Sequence, residues 1–391
     1  MTHRVTAFPL GAATTLAELS RDPHPRLALL RAREPVSWLP ELGGWLVTRR
    51  DLATQVMRDA EAFTVDDPRF STAQVVGPSM LSLDGAEHAR HRAPFTDPFR
   101  PREVLGRFTE FTEQEADRLI DALIPQRAAE LRRDFAGPLA VAVMAEALGL
   151  AGTATGTVLS WYDAIVNAVT RITAGQAPGP DGAAAYEQLK VAVEHTIGGP
   201  DSTSLLASAA GALSLSEVAS NAAVLLFGGL ETTEAMIANL LVHLLNDPAQ
   251  LSAVLDGGPE PLDGAIEESL RLEPGATVVD RYASRDATLG PVTVRAGDLV
   301  SVSLAGANRD PEVFKDPDAF DIRRDNARLQ LAFAQGPHYC VGAHLARLET
   351  RVALRQLLER LPGLGLDPDH PTPEIRGLVF RKPQAVHVLW G

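Results

Sequence analysis

The sequence predicts a mainly α-helical protein with a minor β portion, and three observations carry that expectation. Between about residues 103 and 255 apolar residues recur mostly three and four positions apart, as in Leu119, Ile120, Leu123 and Ile124, which is the period of amphipathic helices. Residues 215–245 are apolar on almost every side, which predicts one helix with no face toward water, about 45 Å long at 1.5 Å per residue. The β-prone runs are short: 36–38, 45–48, 277–283, 292–294, 299–304 and 377–389.

Taken in order, 36–38 and 45–48 read as an early hairpin, because Pro40 and Gly43-Gly44 lie between them. Ser214 supplies a start signal for the long helix, with Glu217 placed to complete a capping box, and Pro248 marks where it must have stopped. Residues 307–329 show no period and read as irregular chain. A last helix should begin just after Cys340 and run to Leu361. The Pro/Gly clusters at 177–182 and 257–261 read as loops, and no repeat is visible, so a single domain over 1–391 is expected.

Composition narrows the function. With 45% apolar and 22% charged residues in 391, the chain can bury a large core. Its 36 basic and 50 acidic residues give a formal charge of -14, which repels nucleic-acid backbones and anionic lipid surfaces. The N-terminus lacks the basic-then-apolar pattern of a secretory signal, and no run of about 18 uncharged apolar residues occurs, so a cytoplasmic protein without a membrane anchor is expected. A single cysteine, Cys340, excludes an intramolecular disulfide and any Cys-x-x-Cys site.

That cysteine lies in Phe333-Ala334-Gln335-Gly336-Pro337-His338-Tyr339-Cys340-Val341-Gly342, directly before the last helix. Gly336 and Gly342 permit tight turns, and a helix N-terminus lowers a thiol's pKa, which favours a thiolate. By itself the residue is either a small buried hydrophobe or a metal ligand; no signature of a cysteine or serine hydrolase accompanies it. A second unusual segment is Gly228-Gly229-Leu230-Glu231-Thr232-Thr233, where two glycines and a carboxylate interrupt the apolar helix.

The cysteine segment resembles the haem-ligand loop of cytochrome P-450, Phe-Gly-x-Gly-x-His-x-Cys-x-Gly. Ala334 departs from it by replacing the first glycine, a change that costs about 1 kcal/mol or more if that backbone is left-handed. The resemblance implies the cytochrome P-450 fold around a long central helix, haem b as cofactor, Cys340 as the iron ligand, and Phe333, Gly336, His338 and Gly342 as residues shaping the haem site. An axial thiolate favours O–O cleavage, for which this family is the standard example. It further implies that Glu231 is a proton-relay acid and Thr232 the hydroxyl that steadies the hydroperoxo intermediate; that His88, Arg92, Arg281 and His338 bind haem propionates; and that Glu268-x-x-Arg271 with Arg324 forms a structural charge triad.

Further expectations follow from the same resemblance. The substrate is a largely apolar small molecule oxidised with O2, by hydroxylation as the default with epoxidation, ring coupling or desaturation open, as in natural-product tailoring. Its pocket is lined by the 70–82 loop, Val224, Phe227, Gly228, Val278, Val279 and Val379. Because the sequence continues little past the haem domain, electrons should come from a ferredoxin and its reductase, and the protein is expected to be a monomer. Arg347, Arg351 and Arg355, with Arg90, Arg100 and Arg102, would form a basic docking patch. The competing readings are a haem-thiolate sensor and a haem reductase driven directly by a nicotinamide.

Overall fold

The computed structural model describes residues 2–150, 152–173, 176–199 and 204–391. Its longer helices are α1 (His24–Arg33), α2 (Arg50–Arg58), α3 (Gly85–Thr96), α4 (Pro101–Leu123), α5 (Gly137–Leu148), α6 (Thr155–Thr173), α7 (Pro180–Ile197), α8 (Leu215–Leu245), α9 (Pro248–Gly257), α10 (Pro259–Leu272) and α11 (Ala343–Arg360). One mixed sheet joins β1 (Val36–Leu39), β2 (Gly44–Val47), β3 (Phe63–Thr64), β4 (Val278–Ala283) and β5 (Leu299–Ser303) in the order β1-β2-β5-β4-β3. β1 and β2 form the expected antiparallel hairpin, with Trp38 opposite Trp45, whereas β2 runs parallel to β5. The chain therefore returns from its far end to complete a sheet begun near its start.

α8 organises the helical part. The Ser214 hydroxyl accepts the Glu217 N–H, and the Glu217 carboxylate accepts the Ser214 N–H at 2.8 Å, so both ends of the capping box are closed. The helix packs against α5, α7, α10 and α11. It is long and apolar enough to cross a membrane, but its sides are mostly covered by these neighbours, as in a core helix. Gly229 serves that packing, since a Cβ there would lie 2.5 Å from Met144 Sδ on α5.

Two expected loops differ. In 257–261 a single residue, Gly258, separates α9 from α10, and in 177–182 α7 already begins at Pro180. Proline at a helix's first turn needs no N–H partner, so these Pro/Gly clusters start helices as well as end them. The 299–304 run also ends one residue early, because the Ser303 hydroxyl accepts the Gly306 N–H and caps a short helix, Leu304–Ala307.

Of the segment 307–329 expected to be irregular, residue 307 ends the short helix Leu304–Ala307 and the rest has little regular structure, and one charge cluster pins it. Arg271 and Glu268 are both fully buried and form a two-pronged pair at 2.8 Å. Arg324 reaches the same carboxylate at 2.9 Å, and Arg271 donates its other N–H groups to the carbonyls of Asn308, Pro317 and Ala319. Burial opposes the charge on Glu268, but the two arginines hold its pKa below the ordinary value. A second cluster ties both chain ends together: Glu273 pairs with His24 at 2.5 Å, Arg309 at 3.2 Å and Arg381 at 3.1 Å. Against the cost of burial, these partners bring Glu273 down to about 2.

Glu268→Ala should destabilise the protein by about 3–5 kcal/mol, because it strands buried guanidinium groups, and chemical denaturation measures it. Glu273 contributes stability that is complete above its unfolded pKa near 4.5 and is lost as pH falls toward about 2. In urea titrations between about pH 5 and pH 2, the window set by that shift, Glu273→Gln should be less stable than the parent at the upper end and lose less stability on acidification.

Candidate active site

The cysteine loop is shaped by contacts on both flanks. The Cys340 N–H donates to the Phe333 carbonyl at 2.9 Å, closing the loop, and Gly342 is the residue before α11. Gly336 has φ +75°, and a Cβ there would lie 2.3 Å from the Met57 carbonyl oxygen at the end of α2, so only glycine fits. Gln335 accepts from Arg58 at 3.0 Å on the same helix. The Arg347 guanidinium lies 4.4 Å from the centre of the Phe333 ring and caps the loop from α11. Ala334 does adopt a left-handed backbone, φ +59°, so its methyl group is strained in this loop.

The Cys340 side chain is exposed, yet it lies deep in the fold. Burial pushes its thiol pKa above the ordinary value; the Gly342 N–H, Arg92 and Arg347 offset only part of that rise. The expectation that the helix N-terminus favours a thiolate is therefore corrected: desolvation raises the thiol by more than the Gly342 N–H lowers it.

Around the loop stand groups suited to an anionic ligand. Arg281 on β4 is 5% exposed; it donates to the Asp280 carbonyl, and among the described residues it forms no ion pair, Asp84 and Asp280 acting on its charge only from further off. Arg92 on α3 donates to the Tyr339 carbonyl and likewise lacks a carboxylate partner. The buried Nε2 of His88 has no hydrogen-bond partner, and burial lowers the pKa of this histidine to about 4. Its ring rests on His338 with centroids 4.3 Å apart. His338 itself is committed through Nε2 to Asp84 at 2.8 Å, and although burial opposes that charge, His338, the Thr64 hydroxyl and the Val65 N–H hold Asp84 at about 2. His88 and Arg92 also line a cleft of about 760 Å³. A buried guanidinium group at Arg281, a half-buried one at Arg92 and an orphaned imidazole nitrogen around a lone cysteine fit a metal-bearing group with two carboxylates. Haem b is such a group.

On α8 the Gly228-Gly229 pair does not break the helix. Thr232 donates its hydroxyl proton to the Gly228 carbonyl four residues back. Gly228 is exposed within an otherwise buried stretch, and a Cβ on it would meet nothing within 4 Å. Glu231 is anchored at both oxygens, accepting from Tyr162 Oη at 2.6 Å and pairing with Lys382 Nζ at 2.8 Å.

The expected pocket residues fall into two groups. Phe227 is half-buried and meets Phe380 edge-on at 5.4 Å, Val278 is half-buried and Val379 is exposed. Thr277 Oγ1 donates to the Leu378 carbonyl at 2.6 Å, which brings the start of β4 beside the 378–380 segment. Val224 is instead almost fully covered, and Val279 packs against the core of the sheet. The 70–82 loop contains a short helix, Ser71–Val76, and is tied to α8 by Met80 N–H donating to Asn221 at 2.8 Å.

The arginine patch is not a free basic surface. Arg347 pairs with Glu267 at 2.5 Å, Arg351 with Asp263 at 2.6 Å and Arg355 with Glu113 at 2.6 Å. Arg90 pairs with Glu87 and Glu217, and Arg100 with Asp97, which leaves Arg102 exposed at the start of α4. The fourfold spacing on α11 instead matches acids on α10 and α4. Sequence reasoning also missed Asp84 as the partner of His338, and Tyr162 and Lys382 as the partners of Glu231. Lys382 carried one signal, being one of few lysines in an arginine-rich chain.

Comparison with known proteins gives consistent matches. The Cytochrome P450 family model matches residues 261–387. The chain is 35% identical over 366 residues to Cytochrome P450 107B1 of Saccharopolyspora erythraea, covering 88% of this chain and 89% of that protein. It is 35% identical over 394 residues to Cytochrome P450 monooxygenase PikC of Streptomyces venezuelae, covering 95% and 92%. Mycinamicin IV hydroxylase/epoxidase of Micromonospora griseorubida is 33% identical over 384 residues, covering 93% and 95%. Among solved structures, CalO2 superposes with a TM-score of 0.88 at 27% identity, covering 97% of this chain and 99% of that one.

Replacing Ala334 by glycine should stabilise the protein by about 0.5–1 kcal/mol, because it removes the left-handed strain at this position, and a rise in the urea midpoint would show it.

Proposed function

The chain belongs to the cytochrome P450 family and is an oxidoreductase of the monooxygenase class, and from that premise we propose that it inserts one oxygen atom of O2 into a largely apolar small molecule. When bound, haem b supplies the redox centre at which O2 is reduced and an oxygen atom is transferred. The observation that carries the reading is the setting of Cys340: a lone accessible cysteine beside Arg92, with Arg281 and the unpartnered His88 nitrogen nearby.

In this reading Cys340 ligates the iron, and Phe333 with Arg347 shields the loop on one side. Arg281, Arg92 and His88 hold the two carboxylates, while Asp84 orients His338. The Thr232 hydroxyl, whose own proton is engaged by the Gly228 carbonyl, would present its acceptor lone pairs to the reacting group and steady it, while Glu231 would relay protons inward. Phe227, Gly228, Val278 and Val379 bound the substrate and exclude water. A ferredoxin supplies the electrons. Natural-product tailoring is supported by the relatives, one of which is named as a mycinamicin IV hydroxylase/epoxidase.

Cys340→Ser should abolish the thiolate-type carbon monoxide difference spectrum, and an unaltered spectrum would overturn the ligand assignment. Glu231→Gln and Thr232→Ala should keep that spectrum while diverting reducing equivalents from product to peroxide. Reduction in the presence of a ferredoxin and its reductase, but not by NADH alone, separates this reading from a nicotinamide-driven haem reductase.

A further inference from the structure

We propose that Tyr162 and Lys382 are positioning residues for Glu231, fixing its carboxylate in one orientation on α8 beside Thr232; this rests on the relay role given to Glu231 above. A glutamate in mid-helix has several rotatable bonds and many orientations, and an acid that must relay protons along one path loses rate in each of the others. Here both oxygens are held, Oε2 by the Tyr162 phenol at 2.6 Å and Oε1 by Lys382 Nζ at 2.8 Å.

The anchors belong to a balanced set of charges. Lys382 also reaches Glu234 Oε2 at 2.5 Å, and Glu234 Oε1 pairs with Arg132 Nε at 2.6 Å, so two carboxylates one helical turn apart meet two cations. Arg132 is fixed in turn by donating to the Gln384 carbonyl, two residues beyond Lys382. The side chains of Glu231, Glu234, Lys382 and Arg132 are only 13–24% exposed, so their contacts are weakly screened compared with surface pairs. Burial and Glu231 both raise the pKa of Tyr162, so this phenol keeps its proton and remains a donor to the carboxylate. Asp163, next to it at the surface, has its pKa raised by burial and by Glu231 and completes the set of ionisable groups facing the site.

The anchors come from α6 and from the strand Lys382–Pro383, neither adjacent to α8 in sequence, so they act on Glu231 only through the fold. This separates positioning from chemistry: a variant of either anchor should leave haem binding intact while disturbing what Glu231 does.

The test uses the reconstituted holoenzyme with Tyr162→Phe, Lys382→Met and Lys382→Arg. Each of the first two should raise the share of reducing equivalents lost as peroxide by roughly two- to tenfold, the range expected for losing one hydrogen bond, with the carbon monoxide spectrum and the substrate-induced spin-state shift unchanged. Lys382→Arg should restore coupling, and Tyr162→Phe should add nothing once Glu231→Gln is present. Independently of turnover, the infrared carboxylate band that disappears in Glu231→Gln should shift in Tyr162→Phe. If Glu231→Gln uncouples but both anchor variants stay coupled, or the band does not move, the positioning role is overturned while the relay role stands. If Glu231→Gln itself remains fully coupled, the relay role fails and this proposal with it.

Discussion

The interaction on which the rest of the molecule depends is the grip of Arg271 on the chain around it. Its five N–H donors reach two oxygens of Glu268 and the carbonyls of Asn308, Pro317 and Ala319, so none of its hydrogen-bonding capacity is left over. Residues 308–335 have little regular secondary structure to hold their carbonyl groups, and this guanidinium supplies partners in its place. The cysteine loop follows directly from that segment, so the position of Cys340 is inherited from a charge pair on α10.

The same economy of charge runs through the molecule, with two outcomes. Arg271, Arg324, Arg381 and Arg309 are neutralised where they lie, each against a buried glutamate, and they hold segments together. The arginines of α11 also find carboxylates, on α10 and α4, and the ladder that looks like a docking surface in the sequence is a set of interhelical braces. Arg281 and Arg92 are the contrast: one buried and one half-buried around the cysteine loop, and among the described residues neither forms an ion pair.

Legibility in the sequence followed the range of the interactions. The start of α8 was readable because its capping box spans three residues, whereas at Ala334 the family pattern only pointed to the position and the φ value that decides the strain is seen in the fold. The Glu268–Arg271 pair is one helical turn long, and its burial came from the family resemblance. By contrast, Tyr162 and Glu231 are 69 positions apart, and Arg347 and Glu267 are 80 apart, so no local pattern announces either contact. The upward shift of the Cys340 thiol was hidden for a related reason: helix termini are visible in a sequence, whereas the density of atoms around a sulfur is a property of the finished fold. Lysine and arginine periodicity shows which face of a helix is basic, but not what packs against it.

The buried guanidinium of Arg281 has a consequence for how the protein matures. Burial disfavours this cation more than the charges of Asp84 and Asp280 favour it, which works against the folded state, and a ligand carrying carboxylates relieves that penalty as it binds. Loading and folding are then a single coupled equilibrium. In a cell, the yield of intact enzyme would track the supply of porphyrin as closely as the rate at which ribosomes make the polypeptide.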